Sequence, residues 1–508
     1  MSKKKGLLAF DLGTSGVKCS VYDVQGCLLD ARYGEYDTYY PAPDWREQRP
    51  GDWIDRIVTA CAAMKETLSE VQIMGIGVSG HSLGALPVDT TGKLLVERVP
   101  IWSDARAKEQ AKRLFEKTDY RAWYEMTGNG FPPELYSIFK IMWYQDHMPE
   151  IYEQTAKFIG SKDYVNLYLT GVAATDVSYA SGCGIFNLAA GEYCEEYARL
   201  AGVDIDKFPT VLASSDVVGY VTDKAAVALG IEPGIPVVAG GVDNACMSLG
   251  AGCIEQGDSY ASLGSSAWIT VSTKEPLVDY DNKVYTFAHC VKGQYIPSIG
   301  IFASGSALAW AADNLFPDMT GGSRFDDMGA LAAQSPAGAN GVMFNPCLAG
   351  GSSADKSPNI RGNLFHLSLD NTRADVARAV FEGVAMHLYC AGLHLIGSGQ
   401  LGDRLLLVGG GAKGEFARQT YADVFGKTVA VSRVKQDAAS LGAAALTAVG
   451  CGLWSSFEPL KHIHRDVTLC EPSMQNHALY ERRLPIYQQL CDACSDLGDA
   501  VARAREDQ

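Results

Sequence analysis

The chain has 508 residues, with 43 Lys and Arg against 59 Asp and Glu for a net charge of −16, and is 47% hydrophobic. Its length predicts two or more domains of ordinary globular composition. The acidic balance argues against nonspecific binding of nucleic acid or an anionic membrane, while leaving room for a local pocket that holds a phosphorylated small molecule.

Residues 7–23 read LLAFDLGTSGVKCSVYD, an apolar run that ends on Asp11, a turn with two glycines and two hydroxyls, and a second alternating run. This pattern predicts a tight β-hairpin. Its tip fits a phosphate chain with Mg²⁺, because glycines let backbone amides approach and Asp11 can hold the metal or its waters. An ordinary Gly-rich hairpin fits the same residues, and the turn is not a P-loop. A third strand is predicted at 27–33 and a loop at 41–50, followed by a helix with Asp52 as N-cap and one apolar face from Ile54 to Leu68. A strand at 73–78 delivers the turn Ser79-Gly80-His81-Ser82-Leu83-Gly84, where α/β proteins place ligand contacts, and a strand at 85–88 leaves it.

Helices are predicted from about 106 to 117 and at 136–143 and 162–169, with a sheet edge at 175–188. A strand at 217–221, a short helix at 224–229 and a buried strand at 236–239 lead into Gly240-Gly241-Val242-Asp243-Asn244 and a helix at 245–249. The chain then begins again: 259–271 reads SYASLGSSAWITV, and Ser262-Leu263-Gly264-Ser265-Ser266 echoes Asp11-Leu12-Gly13-Thr14-Ser15, predicting two related halves. The second half carries a helix at 305–314 and a Gly/Ser/Pro-rich loop at 348–363. A long helix at 373–396 closes on Gly397-Ser398-Gly399. A strand at 404–408 enters Gly409-Gly410-Gly411-Ala412-Lys413-Gly414, and a helix follows at 415–425. Strand, glycine turn and helix together present backbone N–H groups and a positive helix end to an anion or nucleotide. A strand at 428–431 and a small-residue helix at 438–449 come next, and Pro485 is expected to interrupt the C-terminal helix.

Fourteen cysteines lack the spacing of a secreted disulfide scaffold. The single CxxC, Cys491 and Cys494, has no second pair and predicts no metal or redox site; His462 and His464 read as surface or core residues. The apolar run behind Lys3, Lys4 and Lys5 is too short for a signal peptide, and no stretch reaches transmembrane length, so a cytoplasmic protein is expected. Two hydroxyl-bearing hairpins could clamp one phosphate chain, with the glycine turn at 409–414 holding a nucleoside. Asp243, after a buried strand and a Gly-Gly pair, fits either the reacting carboxylate or a helix N-cap.

An ordered series of motifs resembles the FGGY carbohydrate kinases, most closely their xylulokinase-like branch. The series runs DLGTSGVK at 11–18, DWREQRPGDW at 44–53, GVSGHSLGALPVD at 77–89, IWSDARA at 101–107, KDYVNLYLTG at 162–171 and ATDVSYASG at 174–182. It continues with PVVAGGVDNACMSLGAG at 236–252, SLGSSAW at 262–268, GSALAW at 305–310, RAVFEGVA at 378–385 and VGGGAKGEFARQ at 408–419. The resemblance implies an α/β fold of two actin-like (ribonuclease H-like) domains, 1–252 and 253–508, with an ATP cleft between them. It implies that Asp11 is the metal-associated acid and Asp243 the base, both near Mg²⁺. His81, Ser82, Leu83, Trp102, Asp104, Asp243 and Asn244 would meet the sugar. Gly13, Thr14, Ser15, Lys18, Gly264, Ser265, Ser266, Gly305, Gly410, Gly411, Ala412 and Lys413 would meet ATP.

The expected activity is transfer of the γ-phosphoryl group to a hydroxyl of a pentulose, D-xylulose first, and a homodimer is expected by the same resemblance. Xylulokinases typically read Ser-Gly-Gln-Met-His-Gly where this chain has Ser79–Gly84, so a sugar-facing histidine is replaced by Leu83. The stretch 350–357 and Gly414 also depart from the family pattern. Another ketose, a polyol or a sugar acid is therefore the alternative acceptor, and glycerol is disfavoured because glycerol kinases place Arg-Glu at Ser82-Leu83. A non-catalytic sugar sensor is the alternative from a different class, against which the intact Asp11, Lys18 and Asp243 speak. An actin- or chaperone-like ATPase would leave the WSDAR and SGHSLG stretches without a purpose.

Overall fold

The computed structural model describes residues 3–320, 324–397, 400–432, 438–464 and 467–506. Two seven-stranded mixed sheets organise the chain. The first contains β1 (Lys4–Leu12), β2 (Gly16–Asp23), β3 (Leu28–Glu35), β4 (Val71–Gly80), β5 (Val217–Tyr220), β6 (Pro236–Val238) and β7 (Gly241–Val242). Their order is β5-β6-β4-β1-β2-β3, with β7 beside the end of β4. The second contains β8 (Ser259–Leu263), β9 (Ala267–Val271), β10 (Tyr285–Ala288), β11 (Tyr295–Ile301), β12 (Arg404–Val408), β13 (Thr428–Ser432) and β14 (Val467–Cys470), in the order β10-β11-β9-β8-β12-β13-β14.

The two sheets repeat one topology. Each is centred on the first strand of a hairpin, β1 or β8, antiparallel to its hairpin mate and parallel to a strand that returns after a long crossover, β4 or β12. Each hairpin mate pairs antiparallel with one further strand, β3 or β11. The sequence echo between residues 11–15 and 262–266 therefore marks equivalent hairpin turns of duplicated sheets.

Helices α1 (Pro50–Ala63) and α2 (Ser161–Thr170) cover one face of the first sheet, with Trp53, Ile57 and Val165 buried on Leu8, Phe10 and Leu12. The other face is covered from the second half of the chain. Further helices include, in chain order, α3 (Asp243–Gly250), α4 (Gly305–Leu315), α5 (Arg373–Gly397), α6 (Glu415–Phe425), α7 (Ala438–Gly450) and α8 (Met474–Glu506). Helix α7 packs on β1 and β4 of the first sheet, joining Leu7, Ala9 and Val242 in one core. Tyr22 Oη and Ser440 Oγ share a hydrogen bond of 2.7 Å there. Strand β2 is consequently buried on both faces rather than amphipathic, and Ser20 and Tyr22 lie inside.

Several sequence expectations change. The helix after residue 49 breaks at Met64 into Pro50–Ala63 and Lys65–Glu70, and Asp52 sits inside its first turn while Arg49 is the cap residue. The segment 174–187 alternates strand Ala174–Asp176, helix Val177–Ala180 and strand Phe186–Asn187. Helix α8 runs straight through Pro485, because packing fixes it on both sides of the proline. Tyr480 donates to Glu382 and Tyr487 to the carbonyls of Phe344 and Gly383. Helix α5 is long and apolar enough to cross a membrane, yet 78% of that stretch is buried in the second domain's core. Its expected closing residues Ser398 and Gly399 lie outside the described residues.

Helices α3 and α7 cross backbone to backbone. A Cβ placed on Gly442 would stand 1.9 Å from the Cys246 carbonyl oxygen, and one on Gly250 would stand 1.7 Å from that of Ala438. Exchanging Gly for Ala inside a helix ordinarily gains about 1 kcal/mol. Here Gly442→Ala is expected to lose about 2 kcal/mol or more and lower the melting temperature, since only backbone can yield. A Gly442→Ala melt at or above that of the parent would contradict the crossing.

Candidate active site

Strand register brings the two principal carboxylates together. Asp11 lies opposite Ser79 in the parallel β1–β4 pair, and Ser79 lies opposite Gly241 in the parallel β4–β7 pair. Leu12, Gly80 and Val242 form the next row, so Asp243 begins one residue beyond it. Both acids thus stand at the C-terminal side of the sheet, Asp11 on β1 and Asp243 just past β7, with β4 between the two strands, where open α/β sheets bind ligands. Ser79 Oγ donates to Asp11 Oδ1 at 2.8 Å, and Lys18 is the cross-strand neighbour of Asp11 on β2.

Asp243 is the first residue of α3, after Val242 at the cap position, so it is not the N-cap that the sequence also allowed. Its Oδ1 accepts the Asn244 amide at 2.8 Å. Burial, and next the negative charge of Asp11, push the Asp243 carboxyl from 3.8 up to about 7, while the Asn244 and Asp243 amides pull the other way. Asn244 faces the other lobe: its carbonyl lies 3.5 Å from the hydroxyl of Tyr260 on β8.

The segment leading into Asp243 rests on a buried charged cluster that sequence reasoning did not assign to the site. Lys162 Nζ lies 2.5 Å from Asp163 Oδ1 and 2.9 Å from Asp176 Oδ1, with all three side chains fully buried. Burial alone would lower the lysine's pKa; the two carboxylates outweigh it and hold the ammonium charged. Lys162 and Asn166 both donate to the Ala239 carbonyl, at 3.1 and 2.9 Å. Asp176 accepts from Ser178 Oγ, and Ser178 Oγ in turn accepts the Val242 amide at 3.0 Å. The available signals were the polar residues at two helix starts: Lys162 in the first turn of α2, and Asp176 as N-cap of Val177–Ala180.

The first hairpin turn is closed by Gly13 N donating to Gly16 O at 3.0 Å, leaving Thr14 and Ser15 exposed. Gln48 Nε2 holds the Thr14 carbonyl at 2.7 Å, and Trp102 Nε1 donates to Thr14 Oγ1 at 2.9 Å, so an expected sugar residue touches an expected phosphate residue. The second turn is closed by Gly264 N to Ser266 O at 2.9 Å. The N-terminus of α4 docks on it, with Gly305 N donating to Gly264 O at 2.9 Å and Ser306 N to Ser265 O at 3.1 Å. Only glycine fits at 305, because a Cβ would meet Gly264 O at 2.5 Å. The Gly410–Ala412 turn stacks on the same hairpin: Gly409, at φ +94°, and Gly411 approach Leu263, while Gly410 faces open space and Lys413 follows.

The expected sugar turn is more buried than its polarity suggested. His81 is 1% exposed with its ring edge against Trp53, 5.3 Å between centroids, and neither ring nitrogen has a protein partner. Burial and the nearby Lys140 ammonium lower its pKa to about 4, so the ring is neutral. Leu83 is 1% exposed at φ +61°, and its carbonyl accepts from Lys140 Nζ at 2.9 Å. Of these three residues only Ser82 keeps partial access. Asp104 is fully buried, with its oxygens engaged by Arg106 Nε and Nη2 at 2.8 Å and by the Arg46 amide at 2.6 Å. Arg106 lies over the Trp45 ring at 3.8 Å, a brace that the WSDAR motif contained but residue-type reasoning did not single out.

Two like-topology lobes, each presenting a hydroxyl-glycine hairpin, with a carboxylate pair at the strand ends of the first, fit a two-lobed group-transfer enzyme. The N-terminal domain of the FGGY family of carbohydrate kinases matches residues 7–250 and its C-terminal domain matches residues 259–451. The chain belongs to this family and is a sugar phosphotransferase. It is 30% identical to the xylulose kinase of Staphylococcus epidermidis over 96% of each chain, and 26% identical to the gluconokinase of Bacillus subtilis over 95% of each. The crystal structure of xylulose kinase from Rhodospirillum rubrum matches with a TM-score of 0.88 at 26% identity, covering 97% of this chain and 100% of that one.

An aspartate is the proton-accepting form only above its pKa. Native Asp243 holds its proton more tightly than the unfolded chain does, so its contribution to stability falls as pH rises toward 7. For the free enzyme, kcat/KM for the sugar should rise with pH around a midpoint of about 7. Asp11→Asn removes a negative neighbour and should move the Asp243 midpoint to lower pH in a carbon-13 carboxyl titration. A parent midpoint near about 4, the ordinary carboxylate value, would refute the assigned environment.

Proposed function

We propose that this enzyme transfers the γ-phosphoryl group of ATP to a hydroxyl of a pentulose, with D-xylulose as the first candidate acceptor, and that it works in the cytoplasm. One observation carries the chemistry: Asp243 stands just beyond the row of Asp11 at the strand ends, near enough to feel its charge, with a carboxyl poised at about 7. In transfer, the acceptor oxygen bonds to the γ-phosphorus as the bond to the β–γ bridging oxygen breaks, and the hydroxyl proton passes to Asp243. Such a base supplies about 10²–10⁴-fold of the rate, the remainder coming from alignment and charge neutralisation.

The donor set at the junction fits Mg²⁺, since Asp11 and Asp243 are hard oxygen ligands whose mutual repulsion a divalent cation relieves. Bound there with ATP, the ion neutralises phosphate charge. Thr14, Ser15 and Lys18 on one side, and Gly264, Ser265, Ser266 and Gly305 on the other, are assigned to the phosphates. Gly410, Gly411, Ala412 and Lys413 are assigned to the adenosine. Ser82 and Trp102 are assigned to direct sugar contact with Asn244, while His81, Leu83 and Asp104 shape that site from beneath. The division at 252/253 separates a sugar-binding from a nucleotide-binding part.

The acceptor follows the xylulose kinase relative. A sugar acid is the second reading, favoured by the gluconokinase relative of similar coverage. ADP release against a panel of ketoses, aldoses, polyols and sugar acids should show strong stimulation by D-xylulose. Stimulation by gluconate instead would select the second reading, and no stimulation with intact ATP binding would indicate a sensor. Asp243→Asn should bind ATP and sugar yet lose turnover by at least about 10²-fold; near-normal turnover would remove it as the base.

A further inference from the structure

Away from the carboxylate pair, the second lobe gathers a set of soft and hard donors that phosphoryl transfer does not use. Cys347 follows the strand Met343–Asn345, Asp355 lies in the Gly/Ser-rich loop, and His387 projects from the middle of α5. Cys347 Sγ is 3.2 Å from His387 Nε2 and 3.8 Å from Asp355 Oδ1, and His387 Nε2 is 3.4 Å from that same oxygen. One donor atom from each residue therefore meets at a single point in the fold.

Those separations match a metal's coordination shell. Zn²⁺ bonds of about 2.0–2.3 Å to N, O and S in a tetrahedron put neighbouring ligand atoms about 3.3–3.8 Å apart. The three observed distances form one triangular face of such a polyhedron. As thiolate, carboxylate and neutral imidazole, the donors carry two negative charges, which balance a divalent cation. The mixture of one sulfur, one nitrogen and one oxygen favours a borderline ion such as Zn²⁺ over Mg²⁺ or Ca²⁺.

The surroundings orient each donor. Asp355 Oδ2 accepts the Ser352 amide at 2.7 Å and the Ser352 hydroxyl at 3.0 Å, which leaves Oδ1 to face the sulfur and the ring. Behind the imidazole, Cys491 Sγ is 3.9 Å from His387 Nδ1, where it can accept that N–H and fix the tautomer that presents Nε2. Cys494, the other half of the CxxC, accepts from Asn363 Nδ2 and shares a small apolar cluster with Cys347. The CxxC therefore stands around the triangle instead of forming a site of its own.

We propose that Cys347, Asp355 and His387 bind one Zn²⁺ ion, with a water in the fourth position, and that this ion clasps the 347–355 loop to helix α5. Binding displaces the Cys347 thiol proton to solvent, so one proton is released for each ion bound. All three side chains are buried, Cys347 at 3% exposed and the His387 and Asp355 side chains at 6% and 4%, so the ion would be shielded from bulk water once bound.

The test uses the full chain, stripped with a chelator and then titrated with Zn²⁺ by calorimetry and with Co²⁺ by absorption. One Zn²⁺ per chain, a higher melting temperature and a thiolate-to-Co²⁺ charge-transfer band are expected. The Asp11 and Asp243 carboxylates cannot produce that band, because they offer no sulfur. Cys347→Ser should abolish it and weaken Zn²⁺ at least about 100-fold, and Cys491→Ser should weaken Zn²⁺ about 10- to 100-fold with the band retained. Exchange of the exposed Cys27 for Ser should change nothing. Asp355→Asn, on the loop, gives the same affinity readout should Cys347→Ser fail to fold. Absence of stoichiometric Zn²⁺ in the parent, or a Co²⁺ band that survives in Cys347→Ser, overturns the proposal; without Cys347→Ser, unchanged Zn²⁺ affinity in Asp355→Asn does so.

Discussion

Asp11 and Asp243 are brought close by the pairing of three parallel strands, one acid on the first strand and the other on the helix turn that the third strand leads into. The row Asp11–Ser79–Gly241 sets the level of the first acid, and the following row delivers the second. Neighbouring side chains answer this constraint. Ser79 donates to one carboxylate, the Asn244 amide donates to the other, and burial, with the remaining repulsion, keeps a proton near Asp243 at neutral pH. A cation and an acceptor hydroxyl each offer a way to relieve the strain, so the resting protein is already biased toward its ligands.

Support for that pair comes from an unexpected direction. The lysine that steadies the Asp243 turn is sealed beneath it between two aspartates, and it acts through the Ala239 carbonyl and the Ser178 hydroxyl. A buried ion pair contributes little net stability, yet removing one partner leaves an uncompensated charge. Its role here is to hold a backbone segment in place. Lys140, without an ion-pair partner among the described residues, likewise braces backbone: it donates to the carbonyls of Leu83, Ile101 and Leu135, fixing the 79–84 turn to the WSDAR loop.

Much of this was legible in the residues. Hairpin turns, strand ends and the repeat follow from local patterns of period two and from glycine placement, and the turns at Gly13, Gly264 and Gly410 fall where those patterns predicted. Whether Asp243 caps the helix was not legible, because helix position depends on where β7 ends. Burial of His81 and Leu83 was not legible: polarity marks a turn as ligand-facing, but Trp53 and the chain around Gly182 arrive from distant segments. Pro485 misled for the same reason, since a local helix breaker was outweighed by contacts made over 98 and 143 residues of separation.

Helix α7 forms a layer of the first sheet although nearly two hundred residues separate it from that sheet's last strand. During synthesis, the face of β1 that bears Leu7 and Ala9 must therefore wait for the second lobe's chain to emerge before it is covered. The first lobe cannot mature alone, and a nascent chain stalled near residue 300 would carry an open apolar surface. The crossing of α3 and α7 makes the completion of one lobe depend on the arrival of the other.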